Sequence, residues 1–357
     1  MNRGGVVETN SIWVPEGEKS FREEHIGKTA LLPSHRIDLR NFTEREYNKF
    51  VKMDRVKDWS SLSWKDVGKP LEVKKYSNDR KQYEESYGED MKPFTSWQYF
   101  NKAFHEWFVK DVPNELKEQK SQFLKSLKTF NPQQIKSALG DVAKIQLWNY
   151  AHRIQDGVWD PRGKRALFEG LDITNPRILF LGAAEGYEGM QLGAMYPGAH
   201  ITMVDYDEYC RSTRFEEFPD TYPFLGENPS TGQQKVYYKG DFIIDYIIND
   251  IRNLPFGKEF DIVLSVGLLE HFPDDYKPEV MDWHRKFLKP GGYAILTTPR
   301  NQLRSRLYYN VMADVMNHTY RELMTLEQMG LYVYENGFDI KQHGFIKVHN
   351  GIVAQSR

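Results

Sequence analysis

The chain has 357 residues, of which 40% are hydrophobic and 27% charged, an ordinary balance for a folded globular protein of about two domains. Its formal net charge of -2 excludes a global basic field that would draw in nucleic acid. Cys210 is the only cysteine, so neither an intrachain disulfide nor a cysteine zinc site can form, and no metal site is expected. The N-terminal MNRGGVVETN lacks the apolar stretch of a secretory signal, and no apolar run approaches the roughly 18 residues of a membrane span. The expectation is a cytoplasmic protein without a membrane partner.

Residues 1–93 are polar and mixed in charge, and long irregular segments packed on something else are expected there. Thr43 and Glu46 have capping-box spacing ahead of Tyr47, Phe50 and Val51, which predicts a short helix over 41–56. Trp97, Phe100, Phe104 and Trp107 recur at helical spacing behind a cap at Thr95 or Ser96. Asn131-Pro132-Gln133-Gln134 supplies an N-cap and a proline at the first helical position, and Ile135, Leu139, Val142 and Ile145 make one stripe beyond it. Residues 1–150 are therefore read as a mostly helical N-terminal extension and 151–357 as a second unit.

From Pro176 onward strand and helix signals alternate, which argues for an α/β fold with a parallel sheet covered on both faces. Residues 178–181 and 201–204 are the first two strands. Residues 219–234, rich in proline and glycine, read as a loop insertion before a dense apolar run over 237–248. FDIVLSV (260–266) is a buried strand, and Pro290-Gly291-Gly292 turns into another over 293–298. Residues 326–336 form a helix ended by Gly337, and 338–348 with 351–355 form a closing antiparallel pair.

The most informative stretch is ILFLGAAEGYEGMQLG from Ile178 to Gly193. It reads as strand, glycine-rich turn and helix, and a second strand follows that ends on Asp205, an acid placed to accept ribose hydroxyls. A βαβ unit with no ligand has the same outline. A dinucleotide site requires G-x-G-x-x-G, and the G-x-x-x-G-x-x-G found here departs from it.

The stretch resembles motif I of the class I S-adenosylmethionine (SAM) methyltransferases, acid-x-G-x-G-x-G. Gly182 and Gly186 are then the outer glycines, Ala184 stands for the middle one, and Phe180 stands where the family has an acid, a place Glu185 or Glu188 would fill. The resemblance continues through NDIRNLPF (249–256), SVGLLEH (265–271), LKPGG (288–292) and the helix that ends in Gly337-Phe338. It covers roughly residues 176–357. WNYAHRIQDGVWDPRG (148–163) is similar to the segment before motif I in ubiquinone-pathway O-methyltransferases and in tRNA wobble-uridine carboxymethyl transferase type enzymes.

The resemblance implies a Rossmann-like, seven-stranded core that binds SAM. Gly182, Ala183, Ala184, Glu185 and Gly186 would underlie the methionine and ribose, with Asp205 on the ribose hydroxyls and Tyr206 along the adenine. Asp250 and Ile251 would meet the adenine edge, Val266 would line the cleft, and Tyr150 and Arg153 would wall the methionine end. His271 is the expected general base, with Glu270 beside it. Arg300, Arg304, Tyr308, Tyr309 and His318 are expected on the substrate side. The expected reaction moves a methyl to an oxygen or nitrogen of a small molecule, with residues 1–150 as a cap over the pocket and the interface of a homodimer. An RNA or peptide methyltransferase, or a SAM-binding protein without turnover, are the alternatives. The near-neutral charge speaks against RNA.

Overall fold

The structure is a computed structural model that describes residues 55–73, 84–88, 93–105, 125, 128, 168–218, 220, 224–227, 234–311, 320–346 and 348–357. The expected helix at 41–56 apart from its last two residues, which are not helical, the helix after Asn131, and the candidate residues Tyr150, Arg153 and His318 lie outside the described residues.

Helix α1 (Pro93–Phe104) carries Trp97, Phe100 and Phe104 at the spacing seen in the sequence, and Trp107 lies outside the described residues. It starts at Pro93, ahead of the expected cap, because proline at the first helical position forgoes only an N–H that would be unpaired anyway. The sheet opens with β1 (Arg177–Leu181), α2 (Tyr187–Met195) and β2 (His200–Asp205). It continues through β3 (Ile243–Ile248), β4 (Phe260–Val266), α3 (Lys277–Phe287) and β5 (Leu288–Pro299). Helices α4 (Leu303–Val311) and α5 (Leu326–Glu335) lead to β6 (Phe338–Ile346) and β7 (His349–Ser356).

Seven strands form one sheet in the order β6-β7-β5-β4-β1-β2-β3. β1 is parallel to β2 and β4, β2 to β3, and β4 to β5, whereas β7 runs antiparallel to both β5 and β6. The Rossmann-like α/β core and its closing antiparallel pair are as the sequence led us to expect. Residues of β1 alternate between the two faces. Ile178 and Phe180 join Ile201, Met203, Ile262 and Leu264 on one side, and Leu179 and Leu181 join Val204, Val263 and Leu296 on the other. A strand buried on both faces carries apolar side chains at most positions, which is why these segments read as apolar-rich runs, and a buried polar residue among them, such as Ser265, is paired.

One expectation is corrected. Within residues 219–234, read as a loop, Phe224–Glu227 pairs antiparallel with Gln234–Tyr237. Phe224 is buried against Phe218 and Tyr187, so tertiary packing makes a hairpin of a stretch whose prolines and glycines signal only turns.

Parts of the N-terminal region pack directly on this core. Trp59 is buried against α5 where Gly330 leaves room; a Cβ on Gly330 would lie 1.9 Å from the indole ring. Leu71–Glu72 pairs antiparallel with Glu322–Leu323, and the Val56 N–H donates to His343 Nε2 at 2.9 Å.

Beneath the sheet, His284 of α3 is buried and neutral. Its Nδ1–H donates to the Val280 carbonyl at 2.8 Å, so Nε2 accepts from the Ser265 hydroxyl at 2.9 Å. Burial pushes its pKa down from 6.5 to about 4. Between those values the unfolded chain takes up a proton that the folded one refuses, so the ring stabilises the fold above about pH 6.5 and that contribution is lost as the pH falls toward 4. The full contribution is about 3 kcal/mol. Urea unfolding from about pH 7 to 4.5 is expected to show that loss in the wild-type chain and a flatter dependence in His284→Asn.

Candidate active site

Ligands of open parallel sheets lie at the carboxyl ends of the strands, where the strand order reverses. Here that place is between β1 and β4. The chain leaves β1 into a bend in which Gly182 (φ 69°), Ala184 (φ 49°) and Gly186 (φ 80°) are all left-handed. A Cβ on Gly186 would sit 2.4 Å from Met203 Sδ, so the position demands glycine for space as well as for φ. Ala184 carries a Cβ, and its conformation costs about 1 kcal/mol. It is held from two sides. Its N–H donates to Asp205 Oδ2 at 2.9 Å, and its carbonyl accepts from the Tyr246 hydroxyl at 2.6 Å. The N–H groups of Gly182 and Ala183 donate to the Val204 carbonyl at 2.9 and 3.0 Å. Strain pinned this firmly at a strand tip is typical of ligand sites.

Asp205 Oδ1 also accepts from the Tyr206 and Asp207 N–H groups at 2.8 and 3.1 Å. Burial raises the Asp205 pKa, while hydrogen bonds from the Ala184, Asp207 and Tyr206 backbones pull it down. The Asn249 N–H donates to the Asp205 carbonyl at 3.0 Å, so Asp205 and Asp250 come from adjoining strand tips. The Asp250 carboxylate takes Nε and Nη2 of Arg252 and caps the short turn Ile251–Asn253; the Arg252 hydrogen bond holds it below the usual carboxylate range. An adenine amino group reaching Asp250 shares its oxygens with Arg252. Tyr206 is exposed beside them.

Glu185 is buried in an ion pair with Arg214. Arg214 Nη1 donates to Asn101 Oδ1 at 2.8 Å, and Asn101 Nδ2 donates to Asp207 Oδ2 at 3.1 Å, which ties α1 to the bend and to the end of β2. Glu185 Oε1 has no hydrogen-bond partner among the described residues, so one buried acceptor stands ready beside the bend. Phe180, where the resemblance calls for an acid, is buried under α2, 3.1 Å from where a Gly189 Cβ would stand. A carboxylate in that packed, apolar position would be desolvated without a partner.

The loop after β4 meets this bend. Val266 is half-buried, the Gly267 N–H donates to the Thr297 carbonyl, and Leu268 Cδ1 lies 3.7 Å from where a Gly182 Cβ would be. Glu270 and His271 follow, both buried. His271 Nδ1 is 2.8 Å from the Tyr320 carbonyl, which only accepts, so Nδ1 carries the proton. The Nε2 lone pair then receives Arg321 Nη2 at 3.0 Å. In this arrangement a base role for His271 requires Arg321 to withdraw. Among the described residues neither Glu270 oxygen meets hydrogen-bond geometry with another residue. Burial raises its pKa to about 7, against the opposing pull of Arg321 and Lys277.

Helix α1 comes over the same place. The Trp97 ring centroid is 4.4 Å from that of His271, and the Arg321 guanidinium lies between the Phe100 and Tyr309 rings at 5.4 and 4.7 Å. Tyr308 is buried, edge-on to Tyr309 at 5.0 Å. Arg300 lies over Phe345 at 3.7 Å, and Arg304 is exposed on α4. The guanidinium at the cluster is that of Arg321, which the sequence does not single out. Its signal, a lone arginine in a polar stretch ahead of α5, is too common to separate it from a surface residue.

Fold and site together define a class I methyltransferase. The methyltransferase-domain family model matches residues 150–343, more than half of the chain, and the chain belongs to that family, whose cofactor is SAM. No curated protein matches it significantly. Among solved structures it is similar to human N-acetylserotonin methyltransferase in complex with SAM, at 16% identity and TM-score 0.42, over 73% of this chain and 66% of that one. It is also similar to a SAM-dependent methyltransferase from Aquifex aeolicus (12% identity, TM-score 0.41, 56% and 92% covered). A third likeness is an S-adenosylmethionine-dependent methyltransferase from Mesorhizobium loti (16%, 0.38, 55% and 97%). The residues present fit the cofactor: the pinned bend gives a backbone floor, Asp205 an acceptor for hydroxyls, and the unmet Glu185 oxygen an acceptor for an ammonium group.

Proposed function

We propose that the protein transfers a methyl group from SAM to a small molecule, at an oxygen or nitrogen, beneath a cap that includes α1. SAM supplies an electrophilic methyl carried on a sulfonium. The protein's share of the work is to hold an acceptor in line with that methyl and to keep water out, and orientation of this kind supplies much of the rate. Asp205 would hold the ribose, Tyr206 and Ile251 the adenine with Asp250 at its edge, and Glu185 the methionine ammonium. The observation that carries the small-molecule reading is the seating of Trp97 and Phe100 of α1 against His271 and Arg321, which sets aromatic rings over the loop that meets the bend. The near-neutral net charge supports the same choice over RNA.

The test is methyl transfer from labelled SAM by the full chain to three pools: small metabolites, total RNA, and peptides. Label in the metabolite pool alone is the expected result. Label in RNA, with binding that weakens steeply as salt rises, would replace this reading by the nucleic-acid one. Binding of SAM with no label in any pool would leave a SAM-binding protein without turnover.

A further inference from the structure

We propose that Glu270 and Arg321 together hold the methyl-accepting group, and that this group is a hydroxyl on an aromatic ring. The inference rests on the methyltransferase reading above and narrows it from oxygen or nitrogen to oxygen.

Glu270 is 0% exposed and Arg321 6%. Two of the three guanidinium nitrogens are used, Nη1 on the Tyr309 hydroxyl at 2.7 Å and Nη2 on His271 Nε2 at 3.0 Å. Among the described residues, Arg321 Nε has no hydrogen-bond partner, and neither oxygen of Glu270 meets hydrogen-bond geometry with another residue. Both residues converge on one atom, His271 Nε2, with Glu270 Oε1 3.7 Å from it. That distance is too long for a hydrogen bond, and the nitrogen has no proton to give. Buried polar groups are almost always paired, so two waiting acceptors and one waiting donor side by side call for a ligand that both donates and accepts.

A hydroxyl does both. Its proton goes to Glu270, and one oxygen lone pair accepts from Arg321 Nε–H. A second lone pair remains for the methyl. A neutral amine has a single lone pair, and it cannot be bound to Arg321 and attack carbon as well. In the step, the acceptor O–H bond breaks and its proton passes to a Glu270 oxygen. The oxygen pair forms the new O–C bond while the methyl C–S bond breaks and its pair stays on sulfur. The sulfonium charge and the carboxylate charge cancel, and Arg321 steadies the negative charge that develops on oxygen. His271, fixed by the Tyr320 carbonyl, acts as a positioning residue for Arg321. Trp97, Phe100 and Tyr309 surround the cluster with aromatic surface, the guanidinium taking one face of Phe100 and of Tyr309, and a flat acceptor ring suits such a lining.

The charged groups facing Glu270 are Arg321 and Glu322 ahead of α5 and Lys277 on α3. Lys277 is itself committed to Glu322 and to the Phe272 carbonyl, so it does not serve the acceptor.

The experiment uses the full chain saturated with S-adenosylhomocysteine and titrated calorimetrically with phenol, aniline and toluene at about pH 8, where Glu270 is ionised. Phenol is expected to bind at least about tenfold more tightly than the other two, and the preference to shrink to about twofold in both Glu270→Gln and Arg321→Lys. The lysine keeps the charge and removes the Nε–H donor. The wild-type preference should also fade below about pH 7, as Glu270 takes up its proton. Unchanged S-adenosylhomocysteine affinity shows that each variant is folded; if neither variant folds, the wild-type ranking and its pH dependence decide. Phenol no better than toluene or aniline, or a preference that survives both variants, overturns the proposal. Failure of the wild-type chain to bind S-adenosylhomocysteine overturns the methyltransferase reading beneath it, so the two failures are told apart.

Discussion

Asp205→Ala is expected to weaken S-adenosylhomocysteine binding by about a hundredfold or more, with a far smaller loss of stability. Two effects combine. The nucleoside loses a charged acceptor for its ribose hydroxyls, and hydrogen bonds to charged groups contribute about 1.5–3 kcal/mol each. The bend also loses the anchor of its strained middle residue, because Ala184 N–H donates to Asp205 Oδ2 at 2.9 Å. The Tyr246 hydroxyl still holds the Ala184 carbonyl, which is why the chain should stay folded. Isothermal titration of wild type and variant checks this. An affinity within about twofold of wild type would show that Asp205 serves the loop alone.

Gly186→Ala is expected to cost about 3 kcal/mol of folding stability and to lower the denaturation midpoint accordingly. Left-handed backbone at φ 80° costs a residue with a Cβ about 1–2 kcal/mol. The new methyl would lie 2.4 and 2.6 Å from Sδ and Cε of Met203, and relief of such overpacking adds about 1–3 kcal/mol. Met203 is flexible and can move, which keeps the sum below the extreme. Denaturant unfolding of Gly186→Ala, of Met203→Ala and of the double variant separates the parts. The double variant should lose less than the sum of the two single losses, the shortfall being the packing share.

Much of this molecule is legible in its residues because both kinds of signal agree in its second half. The apolar-rich runs 178–181, 201–204 and 260–266 belong to strands buried on both faces, and the first pairs with each of the other two in the parallel core. The bend at Gly182 to Gly186 is legible because left-handed backbone selects glycine at two of its three positions. Ala184 hides the third, since the tertiary bonds to Asp205 and Tyr246 that hold it have no local sequence signature. The hairpin at 224–227 and 234–237 is lost for the same reason: Phe224 is held by Phe218 and Tyr187, from other parts of the chain.

The acceptor side is the least legible part. Glu270 and His271 stand out by their place after a buried strand, but their protonation is set by Tyr320 and Arg321, about fifty residues further on. Trp97 and Phe100 read as one stripe of a helix. Only the Asn101–Arg214–Glu185 connection, which no local spacing encodes, shows that the stripe faces the site. Arginines close behind β5 attract attention by position, yet Arg300 packs over Phe345, and the cluster draws its guanidinium from Arg321 instead.

An adenosyl group is expected across the ends of β2 and β3, with the bend from Gly182 to Gly186 beneath it. A crystal structure of the full chain with S-adenosylhomocysteine should show it. The ribose hydroxyls are expected at about 2.6–3.2 Å from the Asp205 carboxylate, and the adenine edge beside Asp250 and Ile251. A nucleoside seated anywhere else, or a ribose with no contact to Asp205, would contradict it.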